Sequence, residues 1–540
     1  MNLQLITFLL GIFTLVSLNG QTDLVRTNLP ILVINTATAI PSEPKVKGSL
    51  GIINNGPEEN NSIEDPFTNY IEHIGIELRG QSSLALFPKK SMGFETRNPD
   101  GSNSNVCLLG MPKENDWVLH GPYSDKSLMR NALAYILAGK IMDYAPRVRF
   151  VEVVINDQYE GIFLLTEKIK RDKNRVNIQK LETTSTDITG GYILKFDKGN
   201  EIAWASPYLP ISGKNTPTNF LYHYPKINDI TREQTNYIQN YITEFEDVLQ
   251  SDNFADPIEG YRKYIDVPSF IQYFFINEIS RNVDGYRLST YMYKDSDAVG
   301  GKLKKGPAWD YNLAFGNANY CSGEDFRGWA YQFNAICPDD NWVVHFWWKR
   351  LLQDKAFKIA VKEQWDQLRQ EALSTENIIG TVDSLQQLLT RSSAASRNFE
   401  RWDVLSDWVW PNAFVGDSYG AEVDYLKSWT NSRLAWLDNN FADFDKETTP
   451  STANLASVVY PNPSKGNVQF DFHFQAFDVA TIGIYNVLGQ LIEIVRINDT
   501  EDKDFFFSYS MASRPSPGIY YYIIKSPREV VYSGAFSIVD

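Results

Sequence analysis

Residues 266–316 read DVPSFIQYFFINEISRNVDGYRLSTYMYKDSDAVGGKLKKGPAWDYNLAFG, and their order decides the architecture. Asp266 is a good N-cap residue, and VPSFIQYFFINEIS behind it is apolar on nearly every side, which predicts a central buried helix. The chain then turns at Asn282-Val283-Asp284-Gly285, and LSTYMYKD with KLKKGPAWD predicts a hairpin. That hairpin returns Trp309-Asp310-Tyr311-Asn312 towards the first turn. Asn282 and Asp284 stand two apart, as do Asp310 and Asn312, so in locally extended chain each pair projects to one side. Carboxylate and amide oxygens are hard ligands suited to Mg²⁺, which takes one or two protein ligands and completes its shell with phosphate and water. Asn and Asp also build Asx turns and caps, so the pattern stays open between turn chemistry and a metal site.

Upstream, ILVINT (31–36), IGIELRG (74–80), RFVEVVIND (149–157), GIFLLTEKI (161–169) and GGYILKFD (190–197) predict strands, the third and fourth joined by a turn at Asp157-Gln158-Tyr159-Glu160. Asp125 is placed to cap the helix SLMRNALAYILAGKIM. Thr231-Arg232-Glu233-Gln234 is a capping box opening an amphipathic stripe through Tyr237, Ile238, Tyr241, Ile242, Phe245, Val248 and Leu249. Residues 342–375 and 376–398 predict further helices. Strands first and helices later make an α+β body over 28–445. A polar linker, 446–457, follows, and the short β-branched and aromatic runs of 458–540 predict a small antiparallel β-sandwich.

The chain has 540 residues and a net charge of −15, which argues against a nucleic-acid polymer as partner because phosphate backbones need clustered Lys and Arg. Residues 1–20 carry no charged side chain, and the apolar run from Leu5 to Leu18 suits a signal peptide cleaved near Gly20–Gln21. No transmembrane span is predicted downstream. Export would permit a disulfide, and pairing Cys321 with Cys337 would be worth roughly 3 kcal/mol, while Cys107 reads as a small buried hydrophobe.

The five histidines form no His-Glu-x-x-His spacing, and there is no P-loop, Gly-x-Gly-x-x-Gly or Gly-x-Ser-x-Gly motif. Nucleotide chemistry here requires another scaffold. A basic set is available for it: Arg79, Lys89 and Lys90 in one segment, and Lys168 with its neighbours in EKIKRDKNR. Such cations neutralise phosphate charge during phosphoryl transfer, and Glu167 is placed to orient one of the lysines by ion pairing. A solvated basic face is the bland alternative. Trp309 suits either adenine stacking or the core.

The series Arg79-Gly80-Gln81-Ser82-Ser83, Lys89-Lys90-Ser91, Leu108-Leu109-Gly110-Met111-Pro112-Lys113, Asp116-Trp117-Val118-Leu119, Tyr123-Ser124-Asp125-Lys126, Arg130-Asn131, Tyr144-Ala145-Pro146-Arg147, Gly161-Ile162-Phe163-Leu164-Leu165-x-Glu167-Lys168-Ile169, Asn282-x-Asp284-Gly285-Tyr286-Arg287 and Trp309-Asp310-Tyr311-Asn312 resembles the CotH (spore-coat protein H) kinase family over about 30–440. The resemblance implies a secreted, atypical protein-kinase-like fold that transfers the γ-phosphoryl group of ATP to Ser or Thr of a protein acceptor, with Mg²⁺ as cofactor. On it Asp310 matches the metal-binding aspartate, and Asp284 the second essential aspartate, a base or second metal ligand. Asn312 stands where spore-coat members tend to have another Asp, leaving one negative charge fewer at the metal.

Tyr460-Pro461-Asn462-Pro463, Ile484-Tyr485-Asn486-x-Leu488-Gly489-Gln490, Gly518-Ile519-Tyr520 and Ser533-Gly534-x-Phe536-Ser537-Ile538-Val539 resemble the C-terminal sorting domain of the type IX secretion system, which implies passage through outer-membrane secretion machinery to the medium or cell surface. An adhesive or carbohydrate-binding module is the alternative for this segment. For the body, two alternatives accompany the kinase: a kinase-like surface adhesin of little or no activity, suggested by Trp402, Trp408, Trp410, Trp429 and Trp436, and a glycosidase using its carboxylates as a pair.

Overall fold

In the computed structural model the described residues are 24, 26–199, 201–210, 216–444 and 458–539, the last range with gaps at 461, 466, 474–478, 488–489, 499–503, 511–515 and 526–529. The expected signal peptide and linker lie outside them. The chain divides into two compact units, with the boundary after Asp445.

The first unit opens with seven strands: β1 (Ile31–Thr36), β2 (Val46–Ile53), β3 (Tyr70–Arg79), β4 (Ser91–Arg97), β5 (Asp116–His120), β6 (Val148–Ile155) and β7 (Gln158–Glu167). They close into a barrel in the order β1-β2-β3-β4-β5-β7-β6. Every pairing is antiparallel except the closing one, β1 with β6. The period of two puts Leu32/Ile34, Leu50/Ile52, Ile74/Ile76, Met92/Phe94, Trp117/Leu119, Val151/Val153 and Phe163/Leu165 in one buried cluster, the filled barrel interior. The β6–β7 turn is Asn156-Asp157, earlier than the sequence suggested. Both residues have positive φ (48° and 62°), as a two-residue hairpin turn matching the strand twist requires.

A second, wholly antiparallel sheet has the order β12-β11-β8-β10-β9. It comprises β8 (Tyr192–Phe196), β9 (Ile202–Ala205), β10 (Asn219–Tyr224), β11 (Thr290–Lys294) and β12 (Leu303–Lys305), and β11 with β12 is the expected hairpin. The helices are α1 (Ser82–Leu86), α2 (Arg130–Ile141), α3 (Arg232–Gln250), α4 (Val267–Ser280), α5 (Phe333–Ile336), α6 (Trp347–Leu351), α7 (Lys355–Gln370), α8 (Thr375–Thr390), α9 (Ala394–Arg401) and α10 (Tyr419–Phe441).

Helix starts follow local chemistry. The capping box of α3 is complete, and Asp266 accepts from the Ser269 N–H to cap α4. Asp125 is not the N-cap of α2; that position is Met129. Asp125 instead reaches forward to accept from the backbone N–H (2.8 Å) and guanidinium (2.6 Å) of Arg130. The expected helix over 342–375 breaks before Asp354, whose side chain caps α7. Cys321 and Cys337 are bonded. Cys107 is exposed and free, because Val106 and Leu108 on either side of it turn inward.

One buried ion pair organises the helical half. Arg433 of α10 and Glu278 of α4 meet at 3.0 Å with no side-chain exposure. Arg433 also donates to the carbonyls of Glu278, Phe326 and Gly328, and Glu278 accepts from the Ala330 and Tyr331 N–H groups and the Tyr286 hydroxyl. Burial lowers Arg433 to about 9, so it is still protonated at neutral pH.

The second unit has a three-stranded sheet of β13 (Val458–Tyr460), β14 (Asn467–His473) and β17 (Asp504–Ser510). Its four-stranded sheet joins β15 (Val479–Tyr485), β16 (Leu491–Asn498), β18 (Gly518–Lys525) and β19 (Val530–Ile538). All these pairings are antiparallel. No helix among the described residues is long and apolar enough to cross a membrane.

Arg433→Leu strands the Glu278 carboxylate and is expected to cost about 3–5 kcal/mol, read as an earlier denaturant midpoint for the body. A midpoint unchanged from wild type would contradict a structural role for the pair.

Candidate active site

The two Asp-bearing segments meet where α4 ends. Arg281, with φ of 43°, stops the helix in the left-handed conformation and turns the chain into Asn282–Tyr286. Neither segment is extended, contrary to the side-by-side projection expected of each pair: 283–287 is a turn, and Asp310 has φ of 65° with turns after it. Convergence comes from hydrogen bonds instead. Asn282 accepts from the Asp284 N–H (3.2 Å), an Asx-type contact, and its amide donates to the Asp310 carbonyl at 3.0 Å. Turn chemistry and site assembly are thus done by one residue. The second segment is further held by Asn131, which accepts from the Tyr311 N–H (2.6 Å), by the Tyr135 hydroxyl, which accepts from the Asp310 N–H (3.1 Å), and by Ser280, whose carbonyl accepts from the Phe315 N–H (2.7 Å).

Asp310 is pushed up to about 7, first by burial and then by the charges of Asp284 and Asp197, against the pull of Arg79 and Lys198. Its carboxylate accepts no hydrogen bond from the described residues. Asp284 is also raised by burial, although Arg287 pairs with it at 2.9 Å. Asp197 follows β8 and pairs with Lys195 at 2.8 Å. Lys195 and Lys168 act on Lys226, and all three act on His223, which burial and Lys226 lower to about 3. Trp309 stacks on Tyr135 (centroids 5.9 Å apart, planes at 24°), and the Arg79 guanidinium lies 5.6 Å from its ring centroid.

The remaining basic candidates are placed elsewhere. Lys89 is 2 % exposed and donates to the Ile162 carbonyl (2.6 Å) and the Asn398 side chain (2.7 Å), so it ties the barrel to α9. Lys90 donates to the Leu84 and Phe87 carbonyls and closes the α1 loop. Glu167 pairs with Arg147 (3.0 Å) and Arg175 (3.9 Å) rather than with a lysine. Lys168 lies 3.4 Å from Asp116. Only Arg79 of the set reaches Asp310 electrostatically, and Asn312 is fixed through its carbonyl, which accepts from Asn317.

Asp197, Lys195 and Lys198 lie at the site and were not singled out from the sequence, while Arg287 stood in the motif with Asp284 but was given no role. The K-F-D-K run at the end of β8 was the available signal for the first three. No group of three or more His, Cys, Asp or Glu side chains is close enough to hold a metal among the described residues. Two carboxylates and an amide oxygen still suit Mg²⁺, which needs few protein ligands. Asp310 is half-buried, with the like charges of Asp284 and Asp197 acting on it, and a cation there would offset them.

A family model described as CotH kinase protein matches residues 76–437, more than half of the chain. A second, described as Secretion system C-terminal sorting domain, matches residues 458–534. No curated protein matches.

Because folding raises the Asp310 pKa, its contribution favours the folded state below the ordinary carboxylate range and is lost as pH rises through about 7. Asp310→Asn is therefore expected to melt above wild type at pH 8, with the gap closing as pH falls towards 4. A gap independent of pH would refute the crowding of Asp310 by charge.

Proposed function

The chain belongs to the CotH kinase protein family, and on that premise we propose that its body is a Mg²⁺-dependent, atypical protein kinase transferring the γ-phosphoryl group of ATP to Ser or Thr of an extracellular or surface protein. The observation that carries this reading is the junction of Asp284 and Asp310 through Asn282, beside Arg79, Lys198 and Lys195. Asp310 and the Asn312 side chain would hold the metal, which when bound supplies positive charge against the phosphates. Asp284 accepts the proton of the acceptor hydroxyl, its carboxylate oriented by Arg287. Arg79 and Lys198 offset charge on the transferring group, with Lys195 behind them at Asp197. Trp309 presents an indole to adenine. Lys89, Lys90 and Glu167 act in this reading as supports of the barrel and its loops, not as ATP contacts.

The sorting domain marks the chain for export by type IX secretion machinery. Release to the medium or retention at the cell surface, with the tail removed, belongs to the proposal.

A second reading, a surface-binding protein on the same scaffold with little activity, has one observation in its favour. Trp408 is 58 % exposed, and Trp410 and Trp342 are also exposed. Trp429, by contrast, is buried, and Trp402 and Trp436 are partly buried, so three of the five tryptophans serve packing.

Transfer of ³²P from γ-labelled ATP to a Ser/Thr-rich protein is expected to fall about 10²–10⁴-fold in Asp284→Asn. Asp310→Ala should lose both transfer and calorimetric binding of Mg-ATP. Equal incorporation in wild type and both variants would sink the kinase reading, and absence of Mg-ATP binding to wild type would favour the surface-binding one.

A further inference from the structure

Asp284 is flanked by the two ends of one disulfide-closed loop. On one side Tyr320 precedes Cys321; its hydroxyl feels the charges of Asp284, Arg287 and Asp310, and its ring stacks on Trp410 (6.0 Å, 8°). The next residues lie on the turn itself. The Ser322 carbonyl accepts from Arg281, and Gly323 packs so closely that a Cβ there would stand 2.7 Å from Val283. On the other side Cys337 leads into Asp340 and Trp342. Arg287, 2 % exposed on its side chain, donates to Asp284 (2.9 Å) and the Val283 carbonyl (2.8 Å) within its own turn and to Asp340 (3.2 Å) and the Trp342 carbonyl (2.9 Å) beyond the loop, with its guanidinium over the Phe333 ring at 4.0 Å. The middle of this loop is held by Arg433 at Phe326 and Gly328, by Glu278 at the Ala330 and Tyr331 N–H groups and by Trp429 at the Glu324 carbonyl, and Asn334 near its far end bonds Val344. The Cys321–Cys337 bond is the covalent tie between its ends.

We propose that Arg287 is a positioning residue for Asp284, and that its hold is set by the Cys321–Cys337 disulfide, so that the site is assembled only in the disulfide-bonded protein. The catalytic consequence rests on the kinase reading above. The bond forms by exchange of the two thiols with an external disulfide, which departs as two thiols; excess dithiol runs the exchange backwards. A chain still reduced before export would hold Asp284 loosely, and oxidation outside would lock it. Arg287 suits this role because a guanidinium fork can engage a carboxylate and two further acceptors at once, which an ammonium cannot do in one plane.

The test compares full-length protein before reduction, after excess dithiothreitol, and after re-oxidation with oxidised glutathione. Hydrogen–deuterium exchange is read at 281–288, where the Asp284, Gly285 and Leu288 amides are bonded within the turn. Reduction is expected to speed exchange there and at 338–342, leaving the barrel strands unchanged. It should lower kcat by roughly 10- to 100-fold with KM for Mg-ATP little altered, as misplacement of a reacting group does. Re-oxidation restores both. Asp340→Ala, which removes the anchoring carboxylate without touching the core, should mimic reduction in the oxidised protein, and Arg287→Lys should retain more kcat than Arg287→Met. Unchanged exchange at 281–288 on reduction, or Asp340→Ala with wild-type kcat, overturns the coupling. If neither oxidised nor reduced protein transfers phosphate, the kinase reading fails, while the exchange comparison still decides whether the disulfide governs the turn.

Discussion

The buried pair of Glu278 with Arg433 is the contact on which the helical half depends. Taking two charges fully out of water is costly, and the cost is offset only when every remaining donor and acceptor is used. Here Arg433 spends its other hydrogen bonds on three carbonyls, and Glu278 takes two backbone N–H groups and a tyrosine hydroxyl. The pair and its partners lie on α10, on α4 with the turn after it, and in the disulfide-closed loop, so one interaction joins three segments distant in sequence. Its position near the end of α4 matters for function, because the turn bearing Asp284 starts three residues later.

From that fixed point the site is built by backbone-directed bonds rather than by side-chain pairing. Asn282 joins the two acidic segments, while α2 contributes Asn131 and Tyr135 to seat the second. Asp310 accepts no hydrogen bond from the described residues and lies near the charges of Asp284 and Asp197. Crowded carboxylates of this kind are a recurring feature of functional sites, because the repulsion is relieved by what binds there.

Much of this was legible locally. The capping box at Thr231, the cap at Asp266, the all-round apolar α4 and the β11–β12 hairpin all follow from residue chemistry within a few positions. The two acidic segments were legible for the same reason. The barrel was not, because its closure pairs Ile31 with Glu152 in parallel, and β2 and β5 are a glycine-interrupted strand and a five-residue one. Lys89 misled because a lysine beside phenylalanines looks like a pocket residue, whereas its acceptors, Ile162 and Asn398, lie far along the chain. Asp310 was found for a partly mistaken reason: its φ of 65° rules out the extended geometry, and tertiary bonds from Asn282, Asn131, Tyr135 and Ser280 bring its segment to Asp284.

The central claim is that Asp310, with Asn312, seats a metal–nucleotide beside Asp284. Electron paramagnetic resonance of Mn²⁺ titrated into the full chain with a non-hydrolysable ATP analogue tests it most directly. The account predicts that wild type takes up Mn²⁺ only with the nucleotide present and that Asp310→Ala does not. Identical Mn²⁺ uptake by wild type and Asp310→Ala would contradict it.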